Sequence, residues 1–352
     1  MNRKIKVMHY YTTPENSGGP MTYINTIVKS DLKDKYDFSV CFQLKTAKEL
    51  RLRDARRIIE EIKKTSPDIL HIHGLQSEGF FGVIFGKIAH VPHILMTVHG
   101  MDHEATLISE KRRKLFKYII EPFSLRHSDY VYCVAKAAEK KDIIVLNSRK
   151  LLPCIQNATE YTQGNAVSRK QVGFSESDII AIVVGRVSVD KGMHTLERVI
   201  SANTNERIKF LIVGEGDYSL EMQQKYKGRK DVVFTGFTDN PCGYLDMADI
   251  YLCVSLHENM SIALLEAGQH GLPSVVTDVG DNADVVKDGV NGFVVRVDDS
   301  NSILKHIEEL ANDTALRKAM GEKARENVNE YYSLEQMISR IDAVYQKIEA
   351  DK

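Results

Sequence analysis

Cysteine is sparse and badly spaced for chemistry. The 352 residues carry Cys41, Cys133, Cys154, Cys242 and Cys253, an odd number with no C-x-x-C pair. That disfavours a disulfide framework and a Cys-based zinc site, and leaves free thiols in a reducing, cytoplasmic setting as the expectation. No run of eighteen apolar residues occurs, so no segment reads as a membrane-spanning helix. The N-terminus, MNRKIKVMHYYTTPEN, has a basic start but only a six-residue, largely apolar stretch, Ile5–Tyr10, too short for a signal-peptide core and enough for a first strand. No solenoid repeat or low-complexity tract is visible. No G-x-G-x-x-G follows the first strand, which argues against a nicotinamide-dependent dehydrogenase. No carboxylate stands at metalloprotease spacing from a histidine, and no D-x-D follows a strand end.

Net charge is almost absent as well, at −1, but the total conceals a split. Residues 1–160 hold 26 Lys+Arg and 18 Asp+Glu, about +8; the remaining 21 and 30 give residues 161–352 about −9. The two halves are therefore expected to meet different partners. An anionic membrane or lipid phosphate suits the basic half, against the plainer alternative of solvated faces, and no nucleic-acid partner is expected.

What is present is an alternation. Apolar runs at Ile5–Tyr10, Phe38–Phe42, Ile69–Ile72, Ile94–Val98 and Tyr130–Val134 are separated by helical patterns at Met21–Ser30, Lys48–Lys64, Phe80–Ala89 and Lys111–Arg126. A second set comes at Ile179–Val184, Phe210–Val213, Val232–Thr235, Ile250–Val254, Ser274–Thr277 and Phe293–Val295. Strands that are apolar throughout and separated by helices predict parallel sheets covered on both faces. Two such sets predict an α/β protein with two Rossmann-like, doubly wound domains. The polar, aperiodic stretch Thr162–Ser168 marks the boundary, giving residues 1–162 and 163–332. The tail is helical, and its last segment, 333–352, carries Met337, Ile338, Ile341, Val344, Tyr345 and Ile348 on one stripe.

In doubly wound folds ligands bind beyond the carboxyl ends of the strands, so the loops there matter most. After the first strand, Gly18 and Gly19 in NSGGP permit close backbone approach ahead of a helix. In GRVSVDKG, Arg186 and Lys191 flank a loop before another helix, an arrangement that suits a diphosphate and needs no metal. GEGDYS, Gly214–Ser219, lacks the third glycine of a dinucleotide fingerprint and reads as a strand–helix turn. In HENMSIALLEAGQHGLP, Glu258 precedes a helix capped by Ser261, and Glu266 lies one turn inside it. The amides of Asn259, Met260 and Ser261 face whatever anion sits at that helix start. His71 and His73 alternate along one strand, while His99 and His103 come after the next. A zinc site there is the lesser reading, and His99, at a strand end, is the better cleft residue. The segment Lys111–Arg126 mixes Lys111, Arg112, Arg113, Lys114 and Lys117 with Leu115, Phe116, Tyr118, Ile119 and Ile120. Its apolar side is expected to pack on the sheet, leaving the cations to solvent.

Taken in order, NSGGP, HIHG, TVHG, GRVSVDKG, VGEG, VVFTGF, the E-x7-E of Glu258 and Glu266, and GLPSVVTDVG resemble the retaining GT-B glycosyltransferases of family 4, from Val7 to about Tyr345. The resemblance implies a GT-B fold, α-retaining transfer from a nucleotide-sugar with UDP favoured, no divalent cation or other cofactor, and a final helix crossing back to the N-terminal domain. That domain would hold the acceptor, a glycan or a lipid-linked glycan of surface polysaccharide or glycolipid assembly, with peripheral membrane contact. Gly18 and Gly19 would lie near the donor diphosphate, and Arg186 and Lys191 would hold it. Glu258 would bind sugar hydroxyls, Glu266 the ribose, the backbone around Phe237 the base, and His99 would sit beside the anomeric centre. Departures exist: the usual E-G-F-G reads Glu258-Asn259-Met260-Ser261, and P-N-G-V-D reads Gln156-Asn157-Ala158-Thr159-Glu160. The competing readings are a glycosyltransferase with a small soluble acceptor, a nucleotide-sugar epimerase, and a non-enzymatic sugar-nucleotide sensor.

Overall fold

The computed structural model describes residues 3–12, 18–44, 49–101, 104 and 108–351. The chain forms two compact units, Met1–Asn157 with Glu335–Lys352, and Ala158–Leu334.

The first unit contains strands β1 (Ile5–Tyr11), β2 (Tyr36–Phe42), β3 (Ile69–His73), β4 (His93–Val98) and β5 (Tyr130–Cys133). Its helices are α1 (Gly18–Lys29), α2 (Leu52–Thr65), α3 (Ser77–Ile88), α4 (Glu110–Leu115), α5 (Glu121–His127), α6 (Lys136–Glu139) and α7 (Asp142–Asn147), with α15 (Leu334–Ala350) returning from the end of the chain. The sheet order is β2-β1-β3-β4-β5, and every pairing is parallel. Direction reverses between β1 and β3, where His9 stands in register with His71. Successive strand residues point to opposite faces. Tyr10 and Ile72 face α3, where a Cβ on Gly82 would come within 2.9 and 3.0 Å of them. His9, His71 and His73 therefore occupy the other face, an unusual stripe on a sheet whose strands are otherwise apolar.

Tyr23 of α1 and Tyr345 of α15 pack against that face. Met337, Ile341, Val344, Tyr345 and Ile348 are buried along the inner side of α15. Polar contacts fix its place: Lys35 Nζ and Tyr36 OH donate to the Asp342 carboxylate at 2.6 and 2.7 Å, and Tyr130 OH donates to Asp351 at 2.7 Å.

The second unit contains β6 (Ile179–Val184), β7 (Ile208–Val213), β8 (Val232–Gly236), β9 (Ile250–Cys253), β10 (Ser274–Thr277) and β11 (Gly292–Val295). Between and after them run α8 (Met193–Ala202), α9 (Ser219–Lys225), α10 (Pro241–Leu245), α11 (Ile262–Gln269), α12 (Asn282–Val285), α13 (Ser300–Asn312) and α14 (Thr314–Tyr331). The parallel order β11-β10-β9-β6-β7-β8 reverses between β6 and β9. Met193, Leu196, Ile303 and Ile307 bury one face of the sheet with Phe210 and Ile250. The GEGDYS segment is a strand–helix turn: Gly216 N donates to Ser219 Oγ at 2.9 Å, and α9 begins at Ser219. Both units are thus Rossmann-like α/β folds.

Two expectations need correction. The helix after β1 starts at Gly18, not Met21, so Gly18 and Gly19 sit in its first turn rather than in a loop. Asn16, Ser17 and His103 lie outside the described residues. The segment Lys111–Arg126 buries its apolar side only in part: Phe116 and Ile120 are half-buried. Leu115, Tyr118 and Ile119 are 45%, 67% and 56% exposed, and nothing in α4 is buried. The reason is a π turn at Phe116–Ile120 between α4 and α5. Its extra residue per turn rotates α5 relative to α4, so Leu115, Tyr118 and Ile119 are out of phase with the inner face of α5, where Pro122 and Leu125 are buried.

Candidate active site

In the second unit the loops after β6 and β9 leave in opposite directions, the arrangement that opens a crevice in a doubly wound sheet. A recess of about 260 Å³, partly open to solvent, lies there and is lined by Gly185, Arg186, Lys191, Ser255, Glu258 and Ser261 with the ends of both strands. Glycine makes the close approach of the two loops possible. Gly192 has φ +72°, and a Cβ on it would fall 1.8 Å from Val254 O. The same contact is stitched by Leu256 N donating to Asp190 O at 2.9 Å.

Lys191 ion-pairs with Glu258, and Ser255 Oγ donates to the same carboxylate oxygen at 3.2 Å. Arg186 is exposed, and its guanidinium makes no ion pair or hydrogen bond among the described residues. The helix α11 begins after Ser261, whose Oγ accepts from Leu264 N at 3.3 Å. Met260 is buried, and Asn259 O accepts from Asp281 N at 2.8 Å. Glu266 is the fifth of the eight residues of α11, and its carboxylate has no hydrogen bond or ion pair among the described residues. Burial alone pushes its pKa up to about 7. An acid held this way is half-neutral near physiological pH and gains from any donor brought to it. Phe237 comes directly after β8 and is 67% exposed.

The recess therefore gathers Arg186, Lys191, Glu258 and Ser261, with the amide-bearing turn of Asn259 and Met260 beside them. Chemically this offers two cations, a helix N-terminus and a carboxylate held ready by one of the cations. Ser255 was not foreseen. It lies just past a strand end, which is the one signal that would have pointed to it.

In the first unit, His99 comes directly after β4. His73 lies in β3 itself and is wholly buried, as are His9 and His71. His9 Nδ1 bonds His73 Nε2 at 2.9 Å, and His73 Nδ1 bonds His99 Nε2 at 3.1 Å. His71 is held by Tyr345 OH at 2.8 Å on Nδ1, and on Nε2 by Thr97 Oγ1 at 2.6 Å and Tyr132 OH at 3.3 Å. Burial lowers His9 and His99 to about 3 and takes His71 and His73 well below the usual imidazole range. Nitrogens of His9, His71 and His73 come within 4.8 Å of one another, a spacing that a cation fits. All of these nitrogens except His9 Nε2 already carry hydrogen bonds. The set is thus satisfied as a hydrogen-bonded cluster. His9 was not foreseen, because a single histidine within an apolar strand carries no spacing signal.

Comparison with known proteins reaches both units. The family described as glycosyl transferases group 1 matches residues 165–327, and that described as glycosyl transferase 4-like matches residues 25–135. The chain is 26% identical over 306 residues to an N-acetyl-alpha-D-glucosaminyl L-malate synthase of Bacillus anthracis, covering 84% of this chain and 79% of that one. It is 24% identical over 308 residues to a UDP-Gal:alpha-D-GlcNAc-diphosphoundecaprenol alpha-1,3-galactosyltransferase of Escherichia coli, covering 81% and 76%. Among solved structures, a sucrose-phosphate synthase from Thermosynechococcus elongatus superposes with a TM-score of 0.82 at 17% identity, over 99% of this chain and 100% of that one. The matches at both ends, together with the two Rossmann-like units, establish the chain as a GT-B-fold glycosyltransferase related to the glycosyl transferase 4-like family.

Proposed function

We propose that the chain transfers a sugar from a UDP-sugar to a hydroxyl of a lipid-linked glycan, with retention of anomeric configuration and without a divalent metal. Residues 163–332 would bind the donor, and residues 1–162 with the 333–352 helix would serve the acceptor. The observation that carries the reading is the recess at the β6–β9 reversal, where Arg186 and Lys191 stand beside the start of α11. A diphosphate seated there meets both cations and the helix amides. As the bond from the anomeric carbon to the diphosphate oxygen breaks, that oxygen gains charge, and fixed cations stabilise it. The acceptor oxygen bonds the anomeric carbon on the same face, and its proton passes to the departing phosphate oxygen. The chain would then contribute positioning and charge stabilisation, with His99 beside the reacting sugar.

The Lys191–Glu258 pair gives the site a useful starting state. Diphosphate competes for Lys191, and the freed Glu258 carboxylate can then accept from sugar hydroxyls. Glu266, short of partners, would accept from the ribose. Gly18 and Gly19 would approach the diphosphate, and the backbone at Phe237 the base.

UDP is favoured because the Escherichia coli relative is described as using UDP-Gal with a diphosphoundecaprenol-linked acceptor. The exposed surface of α4 and the π turn supports a lipid-linked acceptor met at an anionic bilayer. Lys111, Arg112, Lys114 and Lys117 share it with Leu115, Tyr118 and Ile119, all exposed. No helix among the described residues is long and apolar enough to cross a membrane, so any contact by helices would be peripheral. One finding favours a second reading, a small soluble acceptor: the Bacillus anthracis relative is described as an N-acetyl-alpha-D-glucosaminyl L-malate synthase. A panel of nucleotide-sugars scored by thermal shift and slow hydrolysis tests the donor. Transfer to undecaprenyl-diphosphate sugars against transfer to small hydroxy acids separates the acceptors. No shift with any UDP-sugar would overturn the donor assignment.

A further inference from the structure

The carboxylate of Glu258 is held by two contacts of different kinds. Lys191 Nζ and Ser255 Oγ both donate to Oε1, the serine at 3.2 Å, and Oε2 makes no hydrogen bond among the described residues. Lys191 has 29% of its side chain exposed, so an anion in the recess can draw on it. Ser255 is 2% exposed and stays where the fold puts it.

The hydroxyl proton of Ser255 has one direction to take. Its oxygen contacts Glu258 Oε1 and, at 3.9 Å, Cys253 Sγ. A carboxylate in an ion pair only accepts, so the proton goes to Glu258 and the oxygen accepts from the thiol. Burial, with the nearby charge of Glu258, pushes the Cys253 thiol up and keeps it protonated. Asn282, which opens α12, completes the order. Its Nδ2 donates to Thr277 O at 3.0 Å and turns its other hydrogen to Cys253 Sγ at 3.6 Å. A carbonyl only accepts, so the amide cannot be turned round.

The backbone here is pinned from β10 and the loop after it. Thr277 Oγ1 donates to Ser255 O at 2.6 Å, and Asp281 N donates to Asn259 O at 2.8 Å. Gly280, at φ +56°, comes so near that a Cβ on it would fall 2.5 Å from Glu258 O. Thr277 and Asn282 are wholly buried. Among these holds on Glu258, Lys191 is the one a diphosphate can claim.

We propose that Ser255 is a positioning residue that keeps Glu258 Oε1 anchored when Lys191 turns to the diphosphate, so that Oε2 faces the hydroxyls of the donor sugar, with Thr277 and Asn282 fixing Ser255 in turn. Glu258 then loses its charge partner without losing its place, and little side-chain freedom is left to freeze when the sugar binds. The sugar part of this inference rests on the proposed function; the bond from Ser255 to Glu258 does not.

The test is a double-mutant cycle in the full chain. Ser255→Ala should lower turnover of a UDP-sugar about tenfold, the loss expected of one hydrogen bond to a charged group, and keep affinity for free UDP within about twofold. With Glu258→Ala already present, the same substitution should cost less than about twofold. Equal losses in both backgrounds, or a matching loss of UDP affinity, would overturn the proposal, since a merely structural serine acts without regard to Glu258. Thr277→Val removes the hydroxyl donated to Ser255 O and should lower turnover in the same way, again with UDP affinity kept. Thr277→Ser retains that hydroxyl and should stay within about twofold of wild type. Normal turnover in Thr277→Val, or an equal loss in both Thr277 variants, would remove the support assigned to Thr277. Should Ser255→Ala fail to fold, the Thr277 pair carries the decision. Heat denaturation of the ligand-free variants reads the bond without any substrate. The Tm changes of Ser255→Ala and Glu258→Ala should be non-additive, and simple addition would mean that no bond joins them. If no UDP-sugar is turned over by the wild type, the donor reading fails and takes the sugar-facing role with it, while the Tm cycle still decides the bond.

Discussion

At the scale of single residues, charge placement in the recess sets the expectations. Arg186 has no partner of its own among the described residues, and Lys191 has Glu258. Arg186→Ala or Lys191→Ala should lower turnover by roughly 10²–10³ at saturating donor, because each removes a fixed cation from the developing charge. Arg186 lies on a loop and Lys191 ends a short 3-10 turn, both at the rim of the recess, so thermal unfolding should change little. On the proposed reading these cations take the place of Mg²⁺, and activity should then survive exhaustive chelation. Near-normal turnover in either variant, or loss with EDTA restored by Mg²⁺, would show that the diphosphate is held otherwise.

Glu266 gives a second expectation with a definite sign. Burial raises it from 4.5 to about 7. Between those values the folded chain keeps a proton that the unfolded chain has shed, so stability falls as pH rises through that window. Glu266→Gln should therefore raise Tm relative to wild type at pH 8, with the gain vanishing below about pH 5. The same variant should weaken free UDP binding, since a charge-assisted hydrogen bond is worth about 1.5–3 kcal/mol. Glu258→Gln should leave UDP affinity intact or improved, because it frees Lys191, while harming transfer. Calorimetry on both variants checks the division; equal losses would end it. A pH-independent Tm difference would show that Glu266 is not strained.

At the scale of elements, the helical stretch from Glu110 to His127 is the informative case. Helical periodicity was correctly legible there, but its partner surface was not. A continuous α-helix would have carried Leu115, Tyr118 and Ile119 onto the sheet with Leu125; the π turn at Phe116–Ile120 prevents it. Sequence gives little warning of a π turn, because its cost is settled by packing elsewhere. The exposed mixture of cations and apolar side chains should bind vesicles containing anionic lipid at low salt and release them as salt rises, each cation contributing about 1 kcal/mol near the surface. Changing Lys111, Arg112, Arg113 and Lys114 together to Glu should abolish binding, and changing Leu115, Tyr118 and Ile119 to Ser should weaken it, with donor hydrolysis unchanged in both. Sedimentation with vesicles reads this. If wild-type protein ignores anionic vesicles, the small soluble acceptor becomes the better reading.

At the scale of the whole molecule, the last helix belongs to a sheet whose strands were completed two hundred residues earlier in the chain, by about Cys133. Five buried apolar side chains on α15 face the first unit, each worth about 1.5–3 kcal/mol, a sum comparable with the whole stability of a domain. Truncation after Ser333 should therefore abolish cooperative folding of the first unit and leave the second folded. Limited proteolysis with calorimetry would show it; an unchanged first transition would mean that α15 adds little.

Sequence alone determined the order and type of most elements, though not the start of α1 or the π turn. Short apolar runs such as Ile179–Val184, alternating with helical patterns, read as strands buried on both faces of a parallel, doubly wound sheet. The chain position of Arg186 and Glu258 in loops after strand ends, and of Glu266 in the helix that follows, was readable for the same reason: local order places loops and helix starts. Tertiary structure alone decided what meets what. Lys191 and Glu258 are 67 residues apart and join only because β6 and β9 become neighbours. His9 and His73 are 64 apart, and only strand register brings their rings within hydrogen-bond distance. Local propensity reaches a few residues along the chain, whereas pairing across a sheet is fixed by the burial of the whole core, which no single segment encodes.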